Sequence, residues 1–247
     1  MSCRLWRLSL TTPRSLAGLV FVIALPVLMI TSALRFAINE EEVYFYSLSE
    51  FDAEETTGVP EEQLRGAARD LISYFNAGDP TLNLQVDVDG QRQPLFNPRE
   101  VVHMQDVKDL VRALFFVHEA ALAYVMAYVV GVYIWSGDGS LRSLAGQAMA
   151  GSLLALGFMA AIGALAASGF SSSWEGFHEL FFSNNLWQLD PDRDRLIQMF
   201  PEDFWFRAVL FVGGLVVAQA LLVAGVAVAS SRFARRRARR RRPAIGA

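Results

Sequence analysis

Two histidines stand in patterns that could move protons. His103 has Asp106 three residues on and Arg99 four back, and His178 has Glu175 three back and Trp174 four back. Residues three and four apart are neighbours on a helix surface. Each imidazole therefore has a carboxylate placed to hold one ring nitrogen and set its tautomer. A pair of oriented imidazoles is the outline of an acid–base site. The same carboxylates can equally hold the rings charged, and a charged histidine is no base. A histidine beside an acid is also a common kind of surface pair. The third histidine, His118, adjoins Glu119 inside an apolar run. An ionisable pair in that setting reads as functional, or as a structural pair bonded to Gln219 or to a backbone carbonyl.

Other reaction centres find little in the chain. There is no G-x-S-x-G elbow, no H-E-x-x-H or C-x-x-C motif and no glycine-rich phosphate loop. Two histidines and nearby acids could hold a zinc ion, making a membrane metal hydrolase, but their spacing is not diagnostic of one, and no metal and no cofactor is expected. The only cysteine is Cys3, so no internal disulfide forms. If the reaction is acyl transfer, the substrate must bring its own nucleophile, leaving the protein to position it and move protons.

The elements that must position these residues follow from hydropathy and charge. The 247 residues are 53% hydrophobic with mean hydropathy +0.30, too apolar for an ordinary soluble domain. Four runs, about 16–34, 110–135, 148–170 and 208–229, reach the roughly 20 residues that a spanning helix needs. The first, kinked at Pro26, reads as an uncleaved signal anchor. The N-terminus, the loop around Arg142 and the C-terminal tail hold 12 arginines against one acid, Asp138, whereas segments 39–109 and 171–206 hold 23 acids against seven Lys or Arg. The positive-inside rule then puts both termini in the cytoplasm and both larger segments outside. The predicted order is a cytoplasmic N-terminus (1–15), a first span (16–38), an extracytoplasmic cap (39–109) and a second span (110–135). A cytoplasmic loop (136–147), a third span (148–170), an outer aromatic loop (171–206), a fourth span (207–230) and an Arg-rich cytoplasmic tail (231–247) complete it. The tail suits anionic lipid headgroups rather than nucleic acid.

The segments between the spans carry local signals. In 60–76, Leu64, Ala67, Ala68, Leu71, Tyr74 and Phe75 share one helical face. TLNLQVDVDGQRQPLF alternates around Asp89-Gly90, which predicts a β-hairpin with an edge strand at Pro94. Asn97, Pro98 and Glu100 form a helix start with a capping box, opening a helix that runs through His103 into the second span. Ser172 to Glu175 repeats the capping pattern ahead of His178. Asp190-Pro191 opens a further short helix and Phe200-Pro201 closes it. In the third span, Gly157/Ala161 and Gly163/Ala167 stand at the small-xxx-small spacing of close helix packing.

The stretches EVVHMQDVKDLV (100–111) and FHELFFSNNLWQLDPDRDRLIQMFPEDFWF (177–206) resemble a bacterial integral membrane family, the one that includes the lipoprotein intramolecular transacylases. YFYSL (44–48) and LISYFN (71–76) fit it as well, and the likeness extends over about 16–230, with four spans in the same in-out order. The resemblance implies an enzyme that moves an acyl chain from the glyceryl sn-2 ester of a diacylglyceryl lipoprotein to the amine of its N-terminal cysteine, at the outer face of the cytoplasmic membrane. It implies that His103 and His178 are the catalytic pair. Asp106 and Glu175 would then orient them, Lys108 or Arg99 would stabilise the oxyanion, and Trp174 would support the site. The expected fold is a mainly α membrane protein, a four-helix transmembrane bundle with a small extracytoplasmic α+β cap, whose partners are a diacylglyceryl lipoprotein and membrane lipids. The competing reading is a non-catalytic membrane protein whose acidic cap binds an envelope partner.

Overall fold

The computed structural model describes residues 11–78, 81–88, 90–135 and 138–240. In chain order the elements are α1 (Thr11–Asn39), α2 (Glu41–Glu50), α3 (Ala53–Thr57), α4 (Glu61–Asn76), β1 (Gln85–Val88), β2 (Gln91–Pro94), α5 (Pro98–Trp135), α6 (Asp138–Ser168), α7 (Phe170–Phe181), α8 (Arg195–Met199) and α9 (Glu202–Arg240). Among the described residues four stretches are long and apolar enough to cross a membrane: Leu16–Asn39, Pro98–Ile134, Leu141–Ser168 and Glu202–Phe233. The protein is a mainly α membrane protein with four spanning helices and a small two-stranded sheet. Large side chains such as Phe116, Leu222 and Leu180 stand 69–77% exposed, as a lipid solvent permits. Helix α5 is far longer than the span needs: 38 residues at ~1.5 Å each exceed the ~30 Å hydrocarbon core. Its charged first turns, 98–109, lie ahead of the apolar part.

The chain divides into two compact units. One comprises 1–32, 117–161 and 213–247. Within it, α1 and α6 approach closely at Gly151, where an added Cβ would sit 3.0 Å from Leu25 Cδ2 and 3.2 Å from the Val22 carbonyl oxygen. Ser152 and Ala155 are fully buried. The small-residue face expected to pack does not: Gly157 has nothing near its Cβ position, and Ala161 is exposed. The packed stripe is Gly151/Ala155, six residues earlier and on another face. Helix α1 runs through Pro26 without interruption.

The other unit comprises 33–116 and 162–212. Its core gathers Leu48, Val59, Leu64, Leu71, Leu95 and Met199, all at most 2% exposed. Full burial of a side chain of this size stabilises by about 1.5–3 kcal/mol. The six residues expected on one face of α4 are the buried ones. The hairpin forms with Gln85 opposite Pro94 and Val88 opposite Gln91, and Gly90 supplies the left-handed φ of +76° its turn requires. Asp89, the other expected turn residue, lies outside the described residues. The Gln63 side chain joins hairpin to α4 like a fragment of strand, donating to the Asp87 carbonyl and accepting the Asp87 N–H.

Two local expectations are corrected. No capping box forms at Ser172–Glu175: α7 starts at Phe170, because Gly169 at φ +149° breaks the chain direction after α6, and Ser173 bonds back to the Gly169 and Leu165 carbonyls. The helix expected from Asp190 begins at Arg195, because Asp190 to Asp194 is spent on a turn closed by backbone bonds to the Asp190 carbonyl.

Candidate active site

The site lies wholly within the second unit, between the start of α5, helix α7 and the turn after it. The Asn97 side chain caps α5 by accepting the N–H groups of Arg99 and Glu100, while Glu100 returns the bond to the Asn97 N–H at 2.7 Å. This capping box also grips the downstream loop. The other Glu100 oxygen accepts the Leu196 N–H at 2.6 Å, and Asn97 Nδ2 donates to Asp194, which also accepts the Asp190 N–H. Glu100 is 1% exposed, and burial raises its carboxyl above the ordinary range against the two N–H bonds that lower it.

On this frame Arg99, His103 and Asp106 share one face of α5, at spacings of four and three. The His103 and His178 rings meet with centroids 6.0 Å apart and planes 36° from parallel. Both are 6% exposed. His178 Nδ1 lies 2.8 Å from the Trp174 carbonyl oxygen. A carbonyl only accepts, so Nδ1 carries the proton, and in the neutral ring Nε2 is left with the lone pair. His103 Nδ1 is buried and has no hydrogen-bond partner among the described residues. Burial, then the neighbouring His178, holds His103 down to about 4, against the opposing pull of Asp106. Burial also lowers His178, against the Trp174 carbonyl that raises it. Both rings are neutral near pH 7, so the carboxylates do not hold them charged.

Several expected supporting roles take a different form. Glu175 is exposed on α7, and His178 is oriented by the Trp174 backbone instead. The Trp174 ring also stands perpendicular to His178 with centroids 4.6 Å apart. Asp106 accepts Asn184 Nδ2 at 2.8 Å and acts on His103 through its charge. Arg99 donates through Nε and Nη2 to the carbonyls of Asn185, Leu186 and Gln188, so these donors hold the loop. Lys108 is 2% exposed with its ammonium 3.8 Å over the Tyr74 ring. His118 belongs to the first unit, where its Nδ1 meets Thr31 Oγ1 at 3.2 Å. The Thr31 hydroxyl donates to the Val27 carbonyl, so it accepts from the ring. Gln219 turns instead to the Met29 carbonyl. Among the described residues no three His, Cys, Asp or Glu side chains converge as a metal site.

Sequence reasoning missed Trp187, stacked on His178 with centroids 4.8 Å apart and planes at 26°, and Phe182, edge-on to His103 at 5.1 Å. Both lie at or beyond the end of α7, where no periodicity announces a contact.

A family model described as lipoprotein intramolecular transacylase Lit matches residues 19–205. The chain belongs to this family. The match takes in both histidines and the loop that Glu100 and Arg99 hold. The solved membrane-integral lipoprotein intramolecular transacylase Lit from Bacillus cereus shares the fold, with a TM-score of 0.73 at 19% identity over 91% of this chain and 97% of that one. A variant of that protein with one histidine replaced by alanine superposes with a TM-score of 0.72 at 18% identity, over 93% and 99% of the two chains. An uncharacterised protein from Aquifex aeolicus (strain VF5) is 27% identical over 222 residues, which cover 89% of this chain and 97% of that protein.

Proposed function

We propose that this Lit-family protein is a lipoprotein intramolecular transacylase whose acid–base pair is His103 and His178. The observation that carries the assignment is the facing pair of buried, neutral imidazoles, one of which has its tautomer set by a backbone carbonyl. The positive-inside distribution of arginine puts the pair on the extracytoplasmic side of a bacterial cytoplasmic membrane, with both termini in the cytoplasm. There the exposed edge of α7, with Phe177, Leu180 and Phe181, suits the interfacial depth at which a lipid ester sits.

The substrate supplies the nucleophile. Loss of a proton from the α-ammonium of the lipoprotein's N-terminal cysteine leaves an amine that attacks the sn-2 ester carbonyl. His178 Nε2 takes the second N–H proton as the carbon–nitrogen bond forms, and its neutral ring is ready to accept it. His103, 6.0 Å away, donates to the oxyanion of the tetrahedral intermediate. Collapse breaks the carbon–oxygen bond, and the proton on His178 passes to the leaving glyceryl oxygen. The products are an N-acyl lipoprotein and a monoacylated glyceryl group, with one proton released overall from the original ammonium. No residue of the protein becomes acylated. Purified protein in mixed micelles with a synthetic diacylglyceryl lipopeptide tests this: His103→Ala and His178→Ala each lose on the order of 10²-fold or more in rate. Near-normal turnover in either variant removes that residue from the mechanism.

A further inference from the structure

We infer that Trp187, seated by Arg99 and Asp106 of α5, is a positioning residue that stabilises His178 in its protonated form. The inference rests on the acid–base role given to His178 above and adds the residue that makes the proton transfer reversible.

The geometry is a chain of three contacts. Arg99 and Asp106 flank His103 on α5, one turn to either side, yet both reach past it to the turn that follows α7. The guanidinium donates to the carbonyls of Asn185, Leu186 and Gln188, which bracket Trp187 in sequence. The Asp106 carboxylate accepts Asn184 Nδ2, and Asn184 Oδ1 in turn accepts the Leu186 N–H at 2.9 Å. The turn closes on itself where the Leu189 N–H meets the Trp187 carbonyl at 2.9 Å. With the turn held on both sides, the Trp187 ring stacks on His178 at 4.8 Å and 26°.

The electrostatics follow from which groups face His178. From α5 it is His103, on which Asp106 and Arg99 act in turn. From α7 itself they are Glu175 and Glu179, both exposed, and the turn at 184–188 contributes no charged side chain. Burial disfavours the imidazolium, and no carboxylate contacts the ring. Among the described residues its one hydrogen-bond partner is the Trp174 carbonyl. The Trp187 indole, stacked on the ring, offers its face to a positive charge. Tryptophan is the best aromatic for this purpose, and in a water-poor site the contact favours the charged ring by roughly tenfold. That stabilisation is needed only while His178 carries the proton between nitrogen and glyceryl oxygen. Phe177 and Trp174 stand nearly perpendicular to the same ring and Phe182 is tilted 39° from it at 5.6 Å, so Trp187 is the aromatic stacked most nearly parallel on it.

The test is a titration of the histidine ring signals by NMR in the full chain, labelled at histidine and held in micelles. It needs no substrate, so it stands or falls apart from the transacylase assignment. In Trp187→Leu, which keeps the site apolar, the His178 midpoint moves about one unit to lower pH, and Trp187→Phe recovers most of the difference. Arg99→Lys keeps the charge but loses the fork, and moves the midpoint the same way. If Trp187→Leu fails to fold, wild-type protein grown on difluorotryptophan replaces it: the weakened ring face lowers the midpoint, and the effect disappears in a Trp187→Phe background. An unchanged or raised midpoint in Trp187→Leu, or a fluorine effect that persists without Trp187, overturns the inference. An unchanged midpoint in Arg99→Lys removes Arg99 from it.

Discussion

Glu100 is the residue on which the geometry of the site depends most, and its removal has a calculable cost. Its two carboxylate oxygens accept the Asn97 and Leu196 N–H groups at 2.7 and 2.6 Å, in a side chain that is 1% exposed. In Glu100→Ala both N–H groups lose their acceptor where water does not readily replace it, at about 1–3 kcal/mol each. Against this stands the relief of no longer burying a carboxylate, which burial already disfavours. A net loss of roughly 3 kcal/mol remains, and for a chain of this size each kcal/mol lowers the midpoint by about 2–4 °C, giving a fall of roughly 6–12 °C. Glu100→Gln keeps one acceptor and turns a donor toward the other N–H, so it loses about half as much. Glu175→Ala removes an exposed carboxylate one turn from the other histidine and leaves the midpoint within about 1 °C. The assay is thermal unfolding of the purified proteins in one detergent, by circular dichroism at a fixed scan rate. A Glu100→Ala midpoint within a degree of wild type, or an equal fall in Glu175→Ala, refutes the reasoning.

Other outcomes follow from the same structure. His103 sits near 4 when folded and near its ordinary 6.5 when unfolded, so below pH 6.5 the unfolded chain takes up a proton that the folded ring refuses. Its contribution is intact above pH 6.5 and is lost as pH falls toward 4, by at most roughly 3 kcal/mol, and His103→Gln flattens the pH dependence of thermal stability. For the same reason neither ring gains its proton above pH 6.5, read by NMR of histidine-labelled protein in micelles, and a midpoint at or above 6.5 contradicts the burial argument; the acid limb of kcat/KM instead follows the substrate ammonium, which must lose a proton before attack. Gly151→Leu forces side-chain atoms against Leu25 and the Val22 carbonyl and costs about 1–3 kcal/mol, read as a lower unfolding midpoint, whereas Gly157→Leu on the open face of α6 costs nothing measurable.

What was legible in the sequence divides along a physical line. The spans follow from hydropathy alone, because backbone groups in lipid must be satisfied within a helix. The buried face of α4 and the capping box at Asn97 and Glu100 are local patterns, and both formed. The small-residue spacing in α6 misled because Gly157 and Ala161 match the pattern as well as Gly151 and Ala155 do, and only a partner helix selects between them. The two histidines were visible as candidates through their neighbours, but the neighbours' roles were not. Spacing of three and four puts Asp106 and Arg99 beside His103, yet both side chains extend to a loop some eighty residues away in sequence. A backbone carbonyl orienting His178, and a tryptophan from an irregular turn stacked on it, leave no mark in periodicity. Helix α2, rich in acids and weakly amphipathic, was likewise set by packing against α4 rather than by its own pattern.

The central claim is that a proton passes through His178 while the acyl chain moves between two groups of one substrate. The direct measurement is mass spectrometry of the N-terminal peptide of one lipoprotein, from a bacterium that makes only diacylglyceryl lipoproteins. The cells carry no copy, the wild-type chain, or His178→Ala at equal membrane abundance. The account predicts an acyl chain on the cysteine amine and a monoacylated glyceryl group with the wild type, and unchanged diacylglyceryl peptide in the other two. An unchanged peptide with folded wild-type protein, or full conversion by His178→Ala, would contradict it.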